Sequence, residues 1–156
     1  MKKIVSLLIA IALLLSLALP AAASQTAELL RLTNAQRAAH GVSAVRSNNA
    51  LNQAAQLRAR EAAQLWSHTR PDGSNWSTVL AQFNITDYRA ASENLAFTSV
   101  NNPANAINIW MNSPPHRANL LDASHDLVGI GVYFAAAAGA ISGCSCFWTP
   151  AAFSRI

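Results

Sequence analysis

Beyond Lys2 and Lys3 the chain contains no lysine. Nine arginines then face seven acidic residues, a balance of +2 with no basic run. That excludes the dense cationic face nucleic acid requires, so no nucleic-acid partner is expected. Cysteine is equally scarce: Cys144 and Cys146 are the only two. One pair cannot make a disulfide-framework scaffold, and no second pair supports a structural zinc site. The sequence also lacks H-E-x-x-H, a phosphate-binding loop, a dinucleotide fingerprint and a G-x-S-x-G elbow. These absences remove the simplest routes to a metalloprotease, a nucleotide enzyme or an α/β-hydrolase.

The N-terminus supplies what the rest withholds. Lys2 and Lys3 precede an aliphatic run from Ile4 to Leu19, followed by Pro20 and Ala21-Ala22-Ala23. An apolar run of about 16 residues is short for a membrane span, which needs roughly 20. The small-residue exit suits a signal peptidase. Residues 1–23 therefore read as a cleaved secretion signal, and 24–156 as one exported domain. No cysteine stands at the cleavage point for a lipid, so no permanent membrane anchor is expected.

Ser24 or Thr26 can cap a first helix that Gly41 ends, with Leu29, Leu32 and Ala35 or Gln36 at helical spacing. Asn48 and Asn49 cap a second helix over about Ala50–Trp66, with an apolar stripe of Leu51, Ala54, Ala55, Ala62 and Leu65. Pro71-Asp72-Gly73-Ser74 is turn chemistry, and a short helix follows near Trp76–Phe83. Asn102 and Pro103 open a fourth helix over Ala104–Met111, which Pro114-Pro115 stops. His116–Leu121 adds a turn of helix. Leu127–Phe134 and Ser142–Phe153 read as strands, with a further strand around Leu95–Thr98. The class is α+β, helices packed on an antiparallel sheet. Trp66, Trp110 and Trp148 are expected in the core.

Cys144 and Cys146 share one face of the last strand, with Cα atoms about 6.5–7 Å apart, the upper edge of disulfide range. A strained local bridge and two free or externally paired thiols both remain open.

Among the four histidines, His68 and His116 lie where predicted elements end, as does Glu93 within Ser92-Glu93-Asn94-Leu95. Imidazole and carboxylate together can bind a divalent metal or move a proton. Each also has a plain structural use, as a cap or an arginine partner. His125, in Ser124-His125-Asp126, reads as a surface turn, and His40 as a helix terminus.

Four stretches occur in an order that resembles the CAP superfamily of cysteine-rich secretory, antigen 5 and pathogenesis-related proteins, in its compact bacterial branch. They are Leu32–Arg37, Ser67–Gly73, Ser92–Ala96 and Trp110–Leu121. The resemblance implies a three-layer α-β-α sandwich with a small antiparallel sheet. It also implies a cleft lined by His68, Glu93 and His116, where family members can hold zinc. Ser92 and Pro115 stand where the family usually has glycine. The helix before His116 offers Met111, Asn112 and Ser113 in place of a second cleft glutamate.

The reading is thus a secreted, monomeric binding module. A divalent metal, zinc first, would sit weakly on His68, Glu93 and His116. The extracellular ligand would be a lipid, glycan, peptide or cell-wall component. A peptidase-like hydrolase using the same three residues, and a purely structural exported domain, are the alternatives.

Overall fold

The computed structural model describes residues 25–88, 90–98, 102–137 and 140–150, with side-chain surroundings through residue 134. The expected leader, the thiols of Cys144 and Cys146 and the ring of Trp148 lie outside the described residues. The elements are α1 (residues 25–39), β1 (Arg46–Ser47), α2 (Asn49–Gln64), α3 (Thr78–Gln82), β2 (Ala91–Thr98), α4 (Pro103–Asn112), α5 (Pro114–Leu120), β3 (Leu127–Ala137) and β4 (Ala140–Pro150).

Local chemistry sets several boundaries. The Asn48 side chain accepts from the backbone N–H groups of Ala50 and Leu51, closing the open start of α2. Asn102 does the same for Ala104, with Pro103 at the first helical position, where an absent N–H costs nothing. Pro114 and Pro115 likewise occupy the first turn of α5, so the second proline is tolerated in the approach to His116.

The sheet order is β1-β3-β4-β2. β4 pairs antiparallel with both β2 and β3, whereas β1 joins β3 in parallel through Arg46 and Ser47, a strand the sequence did not announce. Beyond Val128 the free edge of β3 is met by a helix. Asn52 accepts from the Ile130 N–H, and Gln56 both donates to and accepts from the Val132 backbone. Two amides one turn apart on α2 therefore stand in for a missing strand. The approach is close: a Cβ added at Gly129 would lie 2.2 Å from the Leu51 carbonyl oxygen, and one at Gly131 2.3 Å from the Ala55 carbonyl carbon. Alanines 54, 55, 59 and 62 on α2 keep that helix slim enough to lie there.

Two cores flank the sheet, giving three layers. Val128, Ile130 and Val132 of β3 and Ala96 of β2 pack with Leu29, Ile107, Trp110 and Leu120 from α1, α4 and α5. Leu95 packs on the other face with the α2 alanines and with Val79 and Leu80 of α3. Strand alternation thus sends successive residues of β2 to different layers.

Several expectations need correcting. The buried face of α1 is Leu29, Thr33 and Arg37, while Leu32 is only partly covered and Ala35 is exposed. α2 ends at Gln64, and its C-cap Leu65 is extended. Helical spacing therefore no longer places Leu65 and Trp66, and Trp66 is 53% exposed. Trp110 is in the core, as expected, at 0%. His125 is also buried, at 4%, and does not lie on a surface turn. Its carbonyl accepts from Arg37, an interaction across 88 residues that its polar neighbours conceal. His40 does sit at the helix end, its Nδ1 2.8 Å from the Gln36 carbonyl.

Candidate functional site

Glu93 faces the α2 layer from β2, the strand at one edge of the sheet. Its carboxylate is fully buried against Arg58, with Nε donating to Oε1 at 3.0 Å and Nη2 to Oε2 at 3.4 Å. Arg58 also donates to Glu61 and to the Ser67 carbonyl. Arg70 caps the network by donating to both oxygens of Glu61. Burial pushes the Glu61 carboxyl up, and the hydrogen bonds from Arg70 and Arg58 outweigh it, so the net shift is downward.

The network fixes the loop that carries His68. Ser67 is tied by its carbonyl to Arg58, and the His68 carbonyl accepts from Trp76 N–H. Asp72 binds the Ser74 N–H and hydroxyl, and Gly73 adopts a positive φ of 83°, completing the turn the sequence predicts. The His68 ring then meets Glu93, Nδ1 to Oε2, at 2.7 Å. A carboxylate beside a guanidinium accepts, so Nδ1 is the donor and Nε2 is the ring nitrogen that Glu93 does not engage.

His116 arrives from the opposite layer. Asn94, next along β2, faces that layer, donates to the His116 carbonyl at 2.8 Å and accepts from Asn119 at 2.9 Å. The Glu-Asn doublet thus positions one histidine from each side of the sheet edge. Burial, then the neighbouring His68 charge, pushes the His116 pKa below the ordinary histidine value. Its Nδ1 is buried with no hydrogen-bond partner. His116 also lines a cavity of about 580 Å³ with Ala62, Gln64, Trp66, Leu95 and Phe97.

The three sequence candidates therefore fall into two relations. His68 and Glu93 are hydrogen-bonded, and His116 is near enough to sense the His68 charge. Among the described residues no three His, Cys, Asp or Glu side chains form a group that could hold a metal ion. The Glu93 oxygens are engaged by Arg58 and His68. Glu93 is the group that orients the His68 ring. Sequence reasoning missed Arg58, Glu61 and Arg70. The Arg58-x-x-Glu61 spacing is a signal, but it usually marks a solvated helix face.

The model of the cysteine-rich secretory protein (CAP) family matches residues 30–149. The uncharacterised protein YkwD of Bacillus subtilis (strain 168) is 26% identical over 106 residues, 67% of this chain and 40% of that one. A Bacillus anthracis extracellular protein containing an SCP domain superposes with a TM-score of 0.73 at 20% identity, covering 84% of this chain and 41% of that one. An outer surface protein of Borrelia burgdorferi gives 0.67 at 18%, covering 83% and 94%. The chain thus spans less than half of YkwD, and the solved structures speak for the fold alone. With 120 consecutive positions under the family model and a three-layer sandwich around the His68–Glu93 pair, the chain belongs to the CAP family.

Proposed function

We propose that this chain is an exported binding module whose cleft, at the edge of the sheet, holds a divalent cation weakly and takes an extracellular ligand. One observation carries the reading: a buried, arginine-neutralised carboxylate orients His68 through Nδ1 and does not engage Nε2, beside a second histidine kept neutral by burial. Neutral imidazoles are the usual ligands of zinc and similar ions. His68 and His116 would hold the ion, which when bound would supply Lewis acidity at the cleft. The extracellular and outer-surface character of structural relatives supports export, as does the leader sequence. No helix among the described residues is long and apolar enough to cross a membrane.

The same geometry favours binding over hydrolysis. A general base needs a carboxylate free to take a proton near neutral pH. Both Glu93 oxygens are already engaged, by Arg58 and by the His68 ring, so neither is free to draw a proton from a water in the cleft.

Zinc calorimetry on the wild type, His68→Ala, His116→Ala and Glu93→Gln tests the reading, together with a digest of a general peptide library. Each histidine variant should lose at least about tenfold in affinity. Removing the orienting carboxylate should lose about 10–100-fold. Zinc uptake that survives the double histidine variant would sink the metal site. Zinc-dependent cleavage of the library would replace the binding reading with a hydrolase.

A further inference from the structure

The apolar ground beside the histidines is larger than an ion site needs. Trp66 and Phe97 are each 53% exposed and meet edge to face, with ring centres 6.0 Å apart and planes at 74°. With Ile109 they wall the cavity that His116 also lines. A second cavity, of about 350 Å³, adjoins it, since Phe97 and Ile109 line both. The other walls of the second cavity are Thr98, Asn105 and Asn108. Asn105, Asn108 and Ile109 stand at i, i+3 and i+4 on α4, so they share one helix face. The result is a trough between β2 and α4. Its first part carries His116 and the Gln64 carboxamide among apolar walls, its second the carboxamides of Asn105 and Asn108. Among the described residues, no Asp, Glu, Lys or Arg lines either cavity.

This sequence of surfaces discriminates between ligands. A sugar ring in the first cavity would find only Gln64 and His116 to bond its hydroxyls, the rest facing alanine, leucine, isoleucine and two aromatic rings, and unpaired polar groups in such surroundings are costly. An acyl chain suits the apolar walls but would cover the Asn105 and Asn108 carboxamides without bonding them, at about 1–3 kcal/mol for each group left unsatisfied. A charged peptide finds no counter-charge. An uncharged extended peptide presents both chemistries at the required interval. Each Asn offers a donor and an acceptor, matching a peptide group. Three residues along α4 rise about 4.5 Å, between the roughly 3.3 Å of one extended residue and the 6.6 Å of two, so the two flexible carboxamides can reach neighbouring peptide groups.

We propose that this trough binds an extended, uncharged peptide segment, seating one large apolar or aromatic side chain among Trp66, Phe97 and Ile109 and its adjoining backbone on Asn105 and Asn108. The proposal rests on the reading of the His68–His116 cleft as the ligand site and gives that ligand a chemical class.

The test is affinity selection by the full exported chain from a positional-scanning library of acetylated, amidated hexapeptides. Phe, Trp or Leu should be enriched about tenfold or more at one position, with charged residues depleted beside it. Affinity for the best sequence should fall about tenfold in Trp66→Ala and in Phe97→Ser, and about three- to tenfold in Asn105→Ala/Asn108→Ala. Both aromatic side chains are exposed, so these variants should fold, and zinc affinity should not change in them. Peptide selection in a chain that takes up no zinc would leave the trough standing and remove only the metal. Zinc binding with no preferred residue at any position would overturn the peptide proposal alone. Oleate binding that Trp66→Ala abolishes, with no peptide selected, would also overturn it and assign the trough to an acyl chain.

Discussion

Two guanidinium groups lie fully buried on opposite sides of the sheet, Arg37 on α1 and Arg58 on α2. Arg37 is surrounded by backbone. It donates to the carbonyls of Ser43, Leu120, Asp122 and His125 at 2.7–3.0 Å. Burial pushes its pKa below the usual arginine value, and the Asp122 charge only partly offsets this. Arg58 is surrounded mainly by acid, Glu93 and Glu61, with one carbonyl from Ser67. The first arrangement ties the end of α1 to the end of α5 and the start of β3. The second neutralises a carboxylate that holds a histidine at the cleft. A buried arginine bound to carbonyls thus marks frame, and one bound to acids marks the support of a site.

The comparison can be broken most severely at Arg37. Arg37→Met would take its donor from four carbonyls, of which Asp122 keeps another, the His125 N–H; at about 1–3 kcal/mol for each of the other three, a loss of about 5 kcal/mol is expected in urea unfolding. No single partner substitution should rescue it, because the partners are main chain. Arg58→Met should cost about 3–5 kcal/mol by leaving Glu93 buried without its guanidinium, with only the His68 ring beside it. Here rescue is possible: Glu93→Leu in the same chain should recover most of the loss, since well-packed apolar groups often replace a buried ion pair without penalty. A double variant no more stable than Arg58→Met would show that the two arginines do the same work.

A pH series sharpens the contrast. Burial pushes the His125 pKa down despite Asp122, and burial with His68 does the same to His116. The unfolded chain then binds protons that the native state refuses, so stability should fall as pH drops through about 6.5, by at most about 1.4 kcal/mol per unit for each group. Unfolding midpoints at pH 7.5, 6.5 and 5.5 would measure this, and His125→Gln should flatten part of the slope. An unchanged slope would place the acid sensitivity on the cleft side alone. The smallest effect is expected at Trp66→Ala, within about 0.5–1 kcal/mol, as for other exposed positions. Trp110→Ala, in the core, should cost about 3–5 kcal/mol.

Much of the cleft was legible before folding was considered. The stretches around His68, Glu93 and His116 carry the family resemblance, and the chain places them at the sheet edge as three successive contributions. Their division of labour was not legible. From sequence Glu93 could be a ligand, an orienter of a histidine or an arginine partner, and the fold adds the 35-residue reach to Arg58 and the contact with His68. Trp66 reads as the last core residue of a helix that in fact stops two residues earlier.

What the sequence determined by itself is what neighbouring residues decide among themselves. Asn48 and the Asn102-Pro103 pair start helices, Asp72-Gly73 turns the chain, and alternation along β2 sends Glu93 and Asn94 to opposite layers. Only the tertiary structure decided which polar groups are buried and what satisfies them. Arg37 finds carbonyls as many as 88 residues away, and Asn52 and Gln56 complete the edge of β3 across 78 and 76. No local rule anticipates such pairs. A polar side chain is worth burying only when a distant partner is already in place to replace water.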